Sequence, residues 1–332
     1  MRLSIASHPA RFAALAAVAA RLFLGLALDA SLTCNGAWIS ALIGGLLAQP
    51  WAFCVCRFKP RGKALPALLA LLSLLDAAGV LSAVNRSAGY LALDRSPALA
   101  LFLPTGIAAL WCAWRNGDAV GYGAMLWVRI APALLLVVAL LQWPYYRPAW
   151  LCPILGSGWS EILEGGVRSA GWIASASAIL LLPEEQDRPM ASATLIPIAA
   201  GISAILIALQ LMMVPAPLSS GGWLDRLDAL LCNGRAPLYL QLPMIAFWFA
   251  GLFHLVLCEL FAGAALIQRV FRRLDGKICA LIVVAAALML SRLEALPAWI
   301  DAVAPWAYPA VGALTAATML LKGGRSPCLS EA

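Results

Sequence analysis

Five ionisable residues, Arg21, Asp76, Arg129, His254 and Glu259, lie in this chain where a charge is expensive, each inside a long apolar stretch. A charged side chain at the centre of a bilayer costs at least about 2.5 kcal/mol, so it persists there only with a partner or a function. A carboxylate at such depth can receive the ammonium group of a ligand, carry a proton, or neutralise an arginine on another helix. For Asp76, in the middle of 65–84, the alternatives are a ligand or proton site and an ion pair with Arg21 or Arg129. His254 and Glu259 share one apolar stretch but stand five residues apart, about 140° around a helix, so they cannot occupy one face. His254 reads as a hydrogen-bonded packing residue or a proton-linked ligand group. Glu259, as a carboxylate, gains more from a cationic partner.

The elements that position these residues follow from composition. The chain of 332 residues is 63% hydrophobic and only 12% charged, with mean hydropathy +0.88, more apolar surface than one soluble core can hide. Charge-poor windows fall near 11–30, 36–56, 65–84, 97–114, 120–142, 167–183, 190–214, 241–268, 277–291 and 304–321. About 20 helical residues cross a hydrocarbon core, and no alternating barrel strands appear, so the expectation is an all-α polytopic membrane protein of about ten transmembrane helices. Breaks in spans one and six are expected at Gly25, Gly171 and the Ser175/Ser177 pair, where freed backbone groups could bind a carboxylate or an amine; close helix packing by small residues is the competing reading. Glu161 and Glu164 flank a short amphipathic stretch before span six, read as a solvated helix, and 223–231 reads as a helix lying at the interface.

Other functions find little support. The net charge of +7 comes from short clusters between apolar runs and never from a stripe, so it reads as a topology signal rather than a nucleic-acid surface. Nine scattered cysteines make no zinc pattern, although Cys34, Cys152 and Cys232 fall in outer segments where a disulfide could form. Gly121-Tyr122-Gly123 lacks the Gly-Lys-Ser/Thr of a phosphate loop, and two histidines, one of them His8, cannot build a His-rich metal site. Neither catalysis nor a cofactor or metal is expected. Arg2 and Arg11 followed by 12–20 imitate a secretory signal, but Arg21 interrupts it, and a retained first span is the expectation.

With the N-terminus inside, the inner segments hold Arg2, Arg11, Arg57, Lys59, Arg61, Lys63, Arg115, Arg188, Arg269, Arg272, Arg273, Lys277, Lys322 and Arg325. The outer ones hold half as many: Arg86, Arg95, Arg147, Arg168, Arg226, Arg235 and Arg292. That bias puts both termini in the cytoplasm of a multi-pass cell-membrane protein. The Pro- and Gly-rich connection 143–166 divides a single integral membrane domain, 1–332, into halves 1–150 and 151–332 of five helices each. An odd number per half inverts the second half, the 5+5 inverted-repeat arrangement in which transporters place a midplane site.

Several phrases resemble one family, the B subunits of spore germinant receptors, which belong with the amino acid/polyamine/organocation transporters. They are 36–45 (GAWISALIGG) and 153–158 (PILGSG), with weaker matches at Leu182-Pro183 and 248–251 (WFAG). The resemblance implies a ten-helix transporter fold with helices one and six broken at the ligand site and helices three and eight lining it. It implies a small germinant such as an amino acid as ligand, partners in a receptor A-type subunit and a lipoprotein C-type subunit, and a spore inner-membrane location. Ligand-site candidates are then Gly25, Asp76, Gly171, Ser175, Ser177, His254 and Glu259. A secondary amino acid or amine transporter, or a scaffold subunit with a degenerate site, are the alternatives.

Overall fold

A computed structural model describes residues 3–57, 63–91, 98–115, 117–155, 158–176, 178–183, 189–213, 238–293 and scattered positions between 302 and 317, with the backbone alone for 23–34, 55–57, 85–91, 98–102, 189–192, 238–248 and scattered helical positions elsewhere. Among the described residues there are nine α-helices and no strand: α1 (Ser7–Thr33), α2 (Ala37–Arg57), α3 (Ala64–Leu91), α4 (Ala98–Arg115), α5 (Asp118–Gln142), α6 (Trp159–Ala176), α7 (Pro189–Met213), α8 (Leu238–Val270) and α9 (Gly276–Leu290). They coincide in order with the first nine apolar windows. The tenth window, 304–321, and the interfacial stretch 223–231 lie largely or wholly outside the described residues. Among the described residues, three segments are long and apolar enough to cross a membrane: Ala37–Cys54, Ala64–Ser82 and Phe249–Val270.

Hydrogen bonds in the connections gather the helix ends into two groups. At the first end, the Leu3 N–H donates to Gln268 Oε1 near the end of α8 (2.7 Å). The Gly117 N–H, between α4 and α5, donates to the Ser4 carbonyl (3.0 Å), and the Ala6 N–H donates to Asp118 Oδ1 (2.8 Å). At the second end, Asn35 Nδ2 donates to the Cys152 carbonyl (3.3 Å), and the Arg147 N–H donates to the Met212 carbonyl at the end of α7 (3.0 Å). Successive helices therefore run in alternating directions between the two ends. The structure differs from the sequence expectation at four places. First, α6 begins at Trp159 rather than near 167, so Glu161 and Glu164 occupy its first turns and not a separate helix. Second, α1 stays α-helical through Gly25. Third, α6 stays helical through Gly171. Fourth, Arg129 is an exposed residue of α5 and is not inside the bundle.

Packing is dense in the interior and bulky outside. α1 lies against α5, α6, α7 and α8; α2 lies chiefly against α6 and α7, and α3 against α8. Each of α1 to α4 also touches the helix five places later in order. Ala10, Ala13, Ala14, Ala16 and Ala17 carry the buried face of α1, while Leu126, Leu140 and Ile205 are each more than 60% exposed. Small residues let helix backbones approach closely where lipid offers no hydrophobic drive for association. The α2 seam uses this most: a Cβ at Gly44 would stand 2.5 Å from Ser169 Cβ, and one at Gly45 2.3 Å from Ala200 Cβ. Ser40 Oγ adds a bond to the Ile162 carbonyl of α6 (2.9 Å). Asp275 opens α9 by accepting from the Lys277 N–H (2.9 Å).

Gly45→Ala is therefore expected to lower stability by about 1–3 kcal/mol through overpacking. Gly201→Ala, on α7 where a Cβ meets nothing within 4 Å, should be neutral or gain about 0.5–1 kcal/mol from helix propensity. Thermal unfolding of both variants in detergent compares them, and an equally destabilised Gly201→Ala would contradict the seam.

Candidate functional site

The central polar cluster is assembled from four helices. Arg21 comes from α1, Asp76 and Ser73 from α3, Trp172 and Ser175 from α6, and Glu259 from α8. Counting 1.5 Å per residue from the first end puts Arg21, Asp76 and Glu259 at about the same depth, roughly 16–21 Å in. All are buried: Arg21 is 7% exposed, Asp76 and Glu259 1%, Ser73 and Ser175 0%.

Arg21 Nη2 pairs with Asp76 Oδ1 at 2.6 Å, and its guanidinium lies 3.7 Å from the centroid of the Trp172 ring. Ser175 Oγ bonds Asp76 Oδ2 and stands 3.3 Å from Glu259 Oε1, bridging the two carboxylates. The Ser73 hydroxyl of α3 stands beside the Glu259 carboxylate. Stacking on an indole and pairing with a carboxylate are the two ways a dry interior tolerates a guanidinium, and Arg21 uses both. One guanidinium thus faces two carboxylates in a site shielded from water.

The interruption of α6 belongs to this cluster. The helix ends at Ala176 and a 3₁₀ turn follows at Ala178–Leu181, so Ser175 occupies the last turn. The Ala174 carbonyl accepts from the Trp51 indole of α2 (3.3 Å). At the end of the 3₁₀ turn, Arg269 of α8 donates Nη1 to the Leu181 carbonyl (2.8 Å) and Nη2 to the Leu182 carbonyl (2.6 Å). Side chains from α2 and α8 so bond backbone carbonyls around an interruption that lies in a buried interior.

The expected site residues divide. Asp76, Ser175 and Glu259 converge, and the pairing of Asp76 with Arg21 rather than Arg129 is resolved. His254 turns away: its imidazole bonds the backbone carbonyl of Val120 on α5, and its ring lies near Gly123, as the 140° separation requires. Gly171 is buried in unbroken α6, Gly25 lies in unbroken α1, and Ser177 lies outside the described residues. The proposed break survives only at the end of α6. Cys152 is free and exposed, while the side chains of Cys34 and Cys232 lie outside the described residues. Arg21, Ser73 and Trp172 belong to the cluster although they were not among the expected ligand residues. The signal for two of them was helical spacing: Ser73 precedes Asp76 by three residues, as Trp172 precedes Ser175, putting each pair on one face.

Removing one partner of a buried ion pair costs about 3–5 kcal/mol, whereas replacing both with apolar groups can be neutral. Arg21→Met is expected to destabilise the bundle strongly, and Asp76→Leu added to it should recover part of the loss. A double-mutant cycle on detergent-solubilised protein measures the coupling, and strict additivity would mean that the pair contributes nothing specific.

No family model matches the chain, and no match is found among the curated proteins, so the cluster is interpreted through its own chemistry.

Proposed function

We propose that this chain is a transporter-like membrane protein of about ten transmembrane helices in two inverted halves of five, and that it acts as a membrane subunit of a spore germinant receptor. A small ligand binds at the Arg21–Asp76–Ser175–Glu259 cluster and is signalled by a shift of the helices around it. The observation that carries this reading is the origin of the cluster: its residues come from the first, third, sixth and eighth helices, the same four that the family resemblance assigns to the ligand site. The interrupted sixth helix supports it, as does the packing of each of α1 to α4 against the helix five places later. So do exposed aromatics near both ends, Trp111 and Trp114 near one and Trp143 and Trp159 near the other, where interfacial belts form. In that reading the first end is cytoplasmic, and the receptor's A-type subunit and lipoprotein C-type subunit are its partners.

A secondary amine or amino acid transporter is the second reading, favoured by the depth of the cluster, since buried ionisable groups of this kind mark substrate and proton paths in pumps and transporters.

Deleting the gene and any paralogues from its spore-forming host is expected to abolish calcium and dipicolinate release in response to at least one germinant. Normal release in response to every germinant removes the receptor reading. Uptake of a labelled amine or amino acid into proteoliposomes, lost in Asp76→Asn, would establish the transporter. For the architecture, single cysteines introduced at Arg147 and Arg272 are expected to react with impermeant reagents from opposite sides of the membrane. Labelling from the same side would overturn the inverted halves.

A further inference from the structure

Four exposed cations stand at the first end, where α4 meets α9. Arg115 closes α4, Arg272 and Arg273 lie in the turn between α8 and α9, and Lys277 opens α9. Their neighbour Arg269 is turned inward to the Leu181 and Leu182 carbonyls. The Arg115 guanidinium lies 5.0 Å from the centroid of the Trp111 ring, and Lys277 Nζ, from the other helix, 5.8 Å from that of Trp114. Two indoles one turn apart on α4 thus hold a cation from each helix. The carboxylates nearby are engaged: Asp275 accepts from the Lys277 N–H and Asp118 from the Ala6 N–H. Against four cations they leave an excess of two positive charges.

Beneath the cations the surface turns apolar in two stripes. Leu103, Ile107 and Trp111 are exposed along α4, and Ile278, Ile282 and Met289 along α9. The two helices run in opposite directions and close on each other at Gly106, where a Cβ would stand 3.3 Å from Val284 Cγ1. Each stripe stands roughly 90–120° around its helix from that seam, and because the helices are antiparallel both rotations lead to the same side. Leu103 to Trp114 and Ile278 to Met289 each cover about 16 Å, half of a hydrocarbon core of about 30 Å. Two apolar stripes one leaflet long, headed by indoles and an excess of positive charge, match two acyl chains beneath an anionic headgroup in length, polarity and sign. We propose that this face of α4 and α9 binds an anionic diacyl phospholipid, its phosphate between Arg115 and Lys277 and its chains along the stripes. Arg272 and Arg273 add charge from the turn, and the exposed Phe271 and Leu274 beside them enter the interface. A zwitterionic lipid would fill the stripes and leave the cations without a counter-charge, and a soluble phosphate would do the reverse. An acidic protein segment would answer the charges and leave the stripes bare. The site is separate from the central cluster and does not depend on what that cluster binds.

The test is native mass spectrometry of the full chain with phosphatidylglycerol, with phosphatidylcholine of the same chains, with glycerophosphoglycerol as the chainless headgroup, and with hexaglutamate. Phosphatidylglycerol is expected to bind at least about tenfold more tightly than each of the others. Arg115→Gln combined with Lys277→Gln should weaken it about 25-fold, about fivefold for each cation, and leave phosphatidylcholine unchanged. Arg147→Gln, at the second end, should have no effect. Equal binding of the two lipids overturns the anionic headgroup, and glycerophosphoglycerol binding as tightly as the lipid overturns the chain stripes. Hexaglutamate binding as tightly as the lipid makes the face a protein dock and overturns the lipid. Unchanged phosphatidylglycerol affinity in the double variant, or an equal loss in Arg147→Gln, overturns the location; thermal unfolding confirms that each variant is folded.

Discussion

The arrangement of this bundle turns on burying one guanidinium and two carboxylates at the same depth. A lone charge there would be expelled or would unfold its helix, so Arg21 and Asp76 hold α1 and α3 in register with each other. Ser175 extends the constraint to α6 and then to Glu259 on α8. In an interior otherwise built mainly of alanine and branched aliphatic side chains, apolar contacts permit many sliding registers. The polar cluster permits few, because a shift of one residue along α1 turns Arg21 by about 100° and takes it off both Asp76 and Trp172.

The second constraint is the cost of ending α6 among other helices. A helix interrupted in an apolar interior leaves carbonyls without donors, and each costs several kcal/mol if nothing replaces water. Trp51 and Arg269 replace it from α2 and α8, on either side of the 3₁₀ turn. Glycines make the first of these possible: Gly44 and Gly166 bring α2 and α6 so close that a Cβ at either would meet a neighbour at 2.5–2.6 Å, which places the Trp51 indole within reach of Ala174. The backbone seam and the polar site are one device, since the same close approach that packs α2 also stabilises the end of the helix bearing Ser175.

The helices were legible in the sequence because their signal is averaged over about twenty residues, and the error of a residue or two at each end does not erase it. The start of α6 was misplaced by eight residues because Glu161, Glu164 and Arg168 lower the local hydropathy. The helix nonetheless begins at Trp159, where Glu164 and Arg168 pair across one turn at 2.6 Å and face outward. Asp76, Ser175 and Glu259 stood out as polar groups in apolar runs, but their convergence depends on how four helices pack, which periodicity within one helix does not encode. The angular separation of His254 from Glu259 was legible, because it lies within one helix. That His254 would meet Val120 was not, because that contact spans two helices.

Arg21 supplies from a side chain what a broken helix would supply from its backbone. In transporters built on discontinuous helices, the break lets the backbone offer polar groups at the midplane. Here α1 runs unbroken from Ser7 to Thr33, and the polar groups at that depth come from a side chain. A guanidinium presents five donors and a full charge, where a broken backbone presents partial charges alone. An intact first helix with Arg21 and an interrupted sixth helix with Ser175 are thus complementary: one brings the charge, and the other brings the adaptable hydroxyl that joins the two carboxylates. The polar groups at that depth are thus carried entirely by side chains, Arg21 from α1 and Ser175 from the last turn of α6, and it is their reach that ties both helices to Asp76 on α3.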